Sequence, residues 1–170
     1  MFDTCVLGID PGVARCGLAV LERHDRRTTL RWATTVQTPA GDDAAARLLV
    51  LAEATRTAIR TYRPEAVAVE RVAWNRNQVS ALQVARATGV LMLVAAEAGL
   101  VVGEYAPSQV KSAVTGAGNA SKAQVLDALR RLHGLHDVPN APDAADAVAV
   151  ALTHLVGAPL RAAAVRAGAR

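Results

Sequence analysis

The stretch VLGIDPGVARCGLAV, Val6 to Val20, sets two apolar β-type runs on either side of the short turn PGVAR. Runs this close in sequence pair as an antiparallel hairpin, so the chain must open on one and build outward from it. A third β-type run, TLRWATTVQT, follows directly. Beyond it the pattern changes: helical and β-type periodicities alternate. The order is three strands in hairpins, helix, strand, helix, strand, then helices. That order suits an α/β fold with a five-stranded mixed sheet flanked by helices.

From Asp42 a helix is expected, with Leu48, Leu51, Thr55, Ile59 and Tyr62 on one stripe and Pro64 at its end. AVAVE at Ala66 to Glu70 is a short strand, followed by the polar loop RVAWNRN. A long helix covers about Gln78 to Ala98. VVGEYA reads as the fifth strand and PSQVKSAVTG as a short helix. Ser121 and Gln124 have the spacing of a capping box, and Pro142 is a favoured first residue for a last helix reaching about Leu155. The remainder, GAPLRAAAVRAGAR, reads as a mobile basic tail, which divides the chain into a domain at 1–157 and a tail at 158–170. No internal repeat or linker is visible.

With 170 residues, 52% of them hydrophobic and 20% charged, the chain is long enough for one well-filled core and too apolar for disorder. Its longest mid-chain apolar run, VLMLVAA, is far short of the ~20 residues that span a bilayer, and MFDTCVLG lacks the basic and apolar regions of a secretory signal. A cytoplasmic protein with no membrane partner is expected. Cys5 and Cys16 are too few for a disulfide framework and read as small buried hydrophobes. The net charge of +4 makes an anionic partner plausible without identifying one.

Strands disfavour Asp, and a carboxylate removed from water needs a partner, so Asp10 at the end of the first strand requires an explanation. Glu70 closes AVAVE in the same way. Asp143 and Asp146 lie three apart and hence on one face of the last helix. Two strand ends and one helical turn can converge on a point, and oxygen ligands of this kind suit Mg²⁺ or Mn²⁺ in phosphodiester hydrolysis. Each residue also has a plainer reading. Asp10 before Pro11 and Gly12 serves as a turn residue, Glu70 as a solvated strand end, and Asp143 as a charge favoured by the helix dipole. Asp146 is harder to explain this way, because it lies on the apolar stripe continued by Val150. His154 extends that stripe but sits ~12 Å along the helix from Asp146, which assigns it to the core or a helix end.

The segments GIDPG, AVERV, EYAPSQVKSAVTGAGNASKAQV and DAADAVAVALTH, in this order, resemble the RuvC family of Holliday-junction resolvases from about Leu7 to His154. The resemblance implies a ribonuclease H-like fold, a homodimer, and a site of Asp10, Glu70, Asp143 and Asp146 that binds two Mg²⁺ or Mn²⁺ ions. It also implies paired, symmetric nicking of a four-way DNA junction in recombination and repair, in cooperation with RuvA and RuvB. Family members often carry Phe three residues after the Glu to probe the opened junction. This chain has Ala73 there and Trp74 next, so Trp74 is the candidate stacking surface. The alternative is a Trp packed over the sheet edge.

Of the 19 basic residues only Lys111 and Lys122 are lysines, and both match positions where the resemblance places basic residues near the active site. A compact ammonium kept twice in an arginine-biased chain points to a phosphate clamp, with solvated surface charge as the alternative. Arg76, in the loop with Trp74, is a further DNA-contact candidate. The long helix is apolar around much of its circumference, and a face of it is expected to pack on a two-fold mate. Three rivals stand beside this reading: a YqgF-like ribonuclease H-fold nuclease of ribosomal RNA processing, an actin-like kinase or ATPase module, and a noncatalytic DNA-binding protein. The full DAADAVAVALTH helix weighs against the first, and the room for a single lobe weighs against the second.

Overall fold

The computed structural model of the chain describes residues 4–25, 27–71 and 78–168, the side chains of 78–80 and 158–168 excepted. Strands β1 (Thr4–Asp10), β2 (Arg15–His24) and β3 (Arg27–Gln37) pair antiparallel in sequence order. Helix α1 (Ala44–Tyr62) then leads to β4 (Ala66–Glu70), and α2 (Gln78–Glu97) to β5 (Val101–Tyr105). β4 pairs parallel with β1 and β5 parallel with β4, which gives the sheet order β3-β2-β1-β4-β5. The chain closes with α3 (Pro107–Thr115), α4 (Lys122–Arg131) and α5 (Pro142–Gly168). The mixed five-stranded sheet expected from the order of patterns is therefore present.

Period-two alternation divides the strands between two cores. Val6, Ala19, Leu21, Ala66 and Ala68 face α5, with α3 and α4 packed beside it through Val110, Val114, Val125 and Leu129. Leu7, Ile9, Leu18, Val20, Val67 and Val69 face the other way, onto Leu51 and Ala58 of α1 and Ala87, Leu91 and Ala95 of α2. Strands buried on both faces explain why β1, β2 and β4 read as nearly continuous apolar runs.

Two glycines set how closely α5 lies on the sheet. A Cβ built on Gly8 would stand 2.2 Å from the Ala147 carbonyl oxygen, and one on Gly17 only 1.9 Å from that of Asp143. Helix backbone therefore rests directly on strand backbone at β1 and β2. Ala144, Ala145, Ala147, Ala149 and Ala151, all buried, keep the rest of that contact thin.

Helix α1 begins within two residues of Asp42, and the capping box expected for α4 is present. Asp43 caps α1 by accepting from the Ala45 and Ala46 amides at 3.1 and 3.2 Å. Ser121 and Gln124 form the reciprocal capping box of α4. Two expectations need correction. α5 continues to Gly168 instead of ending near Leu155, because the segment beyond is rich in alanine, the strongest helix former. Cys5 is only partly buried, with its thiol directed at the Tyr62 carbonyl at 3.7 Å, whereas Cys16 is fully buried. On α2, Leu82 and Leu93 are 53% and 57% exposed, so its apolar circumference is not consumed within one chain. Among the described residues no helix is long and apolar enough to cross a membrane.

Candidate active site

β1 and β4 run parallel with Ile9 opposite Val69, so the next residues, Asp10 and Glu70, end the two strands side by side. Adjacent strands lie about 4.8 Å apart. Asp10 shares a face with Val6 and Gly8, and Glu70 with Ala66 and Ala68, which is the face covered by α5. Across the hairpin, Asp10 is paired with Gly17, the residue on which the Asp143 backbone rests. The absence of a side chain at Gly17 is thus what brings the first turns of α5, bearing Asp143 and Asp146, over the end of β1.

The electrostatics reflect this crowding. Burial pushes Asp10 up to about 7, with repulsion from Glu70, Asp146 and Asp143 adding to it and Lys122 opposing. Burial likewise pushes Glu70 up to about 7, reinforced by Asp146 and offset by Lys122 and Lys111. The two α5 carboxylates are each matched with a cation. Arg15 donates from Nε to Asp143 at 2.7 Å, and Lys122 from Nζ to Asp146 at 2.5 Å. That bond to Asp146 raises the Lys122 pKa further. Asp143 and Asp146 are about one-fifth exposed, and Arg15 and Lys122 mostly face solvent.

The turn carrying Asp10 is tied down from β3. Thr38 donates its hydroxyl to the Val13 carbonyl at 2.6 Å and its amide to that of Ala14 at 3.1 Å, while Arg47 donates to the Thr38 hydroxyl at 2.9 Å. Lys111, on α3, is close enough to Glu70 to lower its proton affinity. Next to Glu70, Arg71 donates to Gln109 at 3.2 Å. Trp74 and Arg76 lie outside the described residues. His154 is buried on α5 with Nδ1 3.0 Å from the Tyr105 hydroxyl, against Gly103, and belongs to the interior as expected. Burial pushes the Cys16 thiol up to about 12, which removes it as a nucleophile.

All four donors near the β1 terminus are carboxylate oxygens, the donor type of hard divalent cations. Among the described residues no hydrogen bond or ion pair from a protein cation reaches Asp10 or Glu70, which leaves a buried like-charged pair in want of positive charge. Among the described residues no three acidic, His or Cys groups are already gathered as ligands of one ion. Arg15 and Lys122 instead hold the two carboxylates of α5 singly. The donor chemistry fits a divalent cation, and Arg15 and Lys122 each engage one carboxylate oxygen, Oδ2, of Asp143 and Asp146.

Residues 6–154 match the family model described as crossover junction endodeoxyribonuclease RuvC. The chain belongs to this family. Crossover junction endodeoxyribonucleases RuvC from Heliobacterium modesticaldum and Nocardia farcinica are 47% and 45% identical to it. The first match covers 74% of this chain and 77% of the relative, the second 97% and 88%. Among solved structures, T. thermophilus RuvC in complex with Holliday junction substrate superposes with a TM-score of 0.85 at 35% identity, covering 92% of this chain and 96% of that one. The architecture is the ribonuclease H-like fold of these RuvC proteins. As a RuvC-family member the chain is a hydrolase of DNA phosphodiester bonds, and nucleases of the family are metal-dependent. The alternative of a YqgF-like ribosomal RNA nuclease is not favoured by these relatives. Sequence reasoning missed one residue of the site. Arg15 pairs with a carboxylate 128 positions away, and no local signal announces it.

Proposed function

We propose that this chain resolves four-way DNA junctions by paired symmetric nicks, with Asp10, Glu70, Asp143 and Asp146 as its catalytic carboxylates. The observation that supports this most is the meeting of two parallel strand ends, Asp10 and Glu70, beneath the first turns of α5. In this reading the four carboxylates hold two ions, Mg²⁺ or Mn²⁺. Bound there, the ions would supply an activated water and neutralise charge at the departing oxygen.

The protein's own groups do the rest. Lys111 and Lys122 lie on the side of the centre bounded by α3 and α4 and seat the phosphates beside the cut. The free amides at the start of α4 favour the same anion. Trp74 offers a stacking surface to opened bases, and Arg76 a backbone contact. Nicking both strands symmetrically needs two centres, and the exposed Leu82 and Leu93 of α2 support a two-fold mate on that face. RuvA and RuvB would deliver the junction, in the cytoplasm.

The test is cleavage of mobile and immobile four-way junctions, linear duplex and structured RNA with Mg²⁺ or Mn²⁺. Junction-selective paired nicks, lost in Asp10→Asn with junction binding retained, are the expected result. Equal cutting of duplex or RNA, or residual nicking by Asp10→Asn, would overturn the assignment.

A further inference from the structure

Asp143 is the candidate ligand nearest the chain's own solvent-facing guanidinium. Arg15 follows the turn after Asp10 at the first position of β2, and its Nε lies 2.7 Å from Asp143 Oδ2. The guanidinium is held there by two constraints. The turn is fixed through Thr38, and Gly17, two residues on, fixes the Asp143 backbone against the same strand. Asp143 already sits in the first turn of α5, where the helix dipole stabilises its charge without a partner.

We propose that Arg15 is a resident counter-ion of the metal centre, which holds Oδ2 of Asp143 and competes with a divalent ion for that carboxylate. Arg15 then sets the threshold metal concentration at which the centre fills. It is a positioning residue, acting on the ion only through Asp143, and the proposal rests on the reading of Asp143 as a metal ligand. Partial exposure of the pair limits its strength to that of a surface ion pair, so the penalty on loading is modest.

The experiment is Mn²⁺ titration of the full-length protein without DNA, followed by loss of the free-ion electron paramagnetic resonance signal. Arg15→Gln is compared with wild type, with Arg71→Gln and with Asp143→Asn, and far-ultraviolet circular dichroism confirms folding of each. Arg71→Gln removes the same charge beside Glu70 without freeing a carboxylate, because Arg71 bonds to Gln109. Arg15→Gln should bind Mn²⁺ about twofold to fivefold more tightly than wild type. Arg71→Gln should show a smaller change and Asp143→Asn weaker binding. If Arg15→Gln binds no more tightly than wild type or Arg71→Gln while Asp143→Asn is weakened, the counter-ion role is wrong and the ligand reading stands. If Asp143→Asn binds as wild type does, Asp143 is not a ligand and both fall.

Discussion

Asp10 is poorly suited to its strand, and its surroundings carry the cost. Burial and neighbouring carboxylates lift it from an ordinary 3.8 to about 7, and Glu70 from 4.5 to about 7. Between those values the folded protein keeps protons that the unfolded chain has lost. The stability these groups contribute is full below about pH 4 and disappears as pH rises through 7. The melting temperature in EDTA should therefore fall between pH 4 and 8, and Asp10→Asn should flatten that fall and melt higher at pH 8. A profile unchanged by the substitution would show that Asp10 is not under this strain. The same protons compete with divalent ions, so Mn²⁺ affinity should rise with pH up to and just beyond 7.

At the scale of elements, α5 matters most. Replacing Gly17 by Ala places a methyl where the Asp143 carbonyl oxygen stands, so the start of the helix must lift from β2. Overpacking of this kind costs about 1–3 kcal/mol or more, measurable by urea unfolding, and it should cost cleavage more than junction affinity. Ser121→Ala removes the side-chain acceptor of the Gln124 amide and should cost about 1 kcal/mol, with Lys122 less well placed as a result. The capping box of α4, the strand ends at Asp10 and Glu70, and the start of α5 at Pro142 were all legible, because each is written in residues adjacent in sequence. The roles of Gly8 and Gly17 were not, since a glycine's spacing to a helix over a hundred residues away leaves no trace in its neighbours. Arg15 was hidden for the same reason. The length of α5 was not legible, because polar residues and Pro159 mask the helical preference of its alanines.

For the whole molecule, the face of α2 bearing Leu82 and Leu93 is the expected seam between two copies. Sedimentation velocity at micromolar concentration should give a dimer, converted to monomer by Leu82→Glu with Leu93→Glu. The doubly substituted protein should nick junction strands one at a time, and a dimer that survives the change would place the seam elsewhere. Assembly also doubles the net charge of +4 per chain, so junction affinity should fall steeply with salt. Within each copy both halves of the proposed centre are stiff. The peptide repeat locks β1 to β4, and the helix opposite them is seated backbone to backbone on Gly8 and Gly17. A cage with so little slack sorts ions by radius, so changes bedded under α5 should alter metal preference before they loosen the grip on DNA.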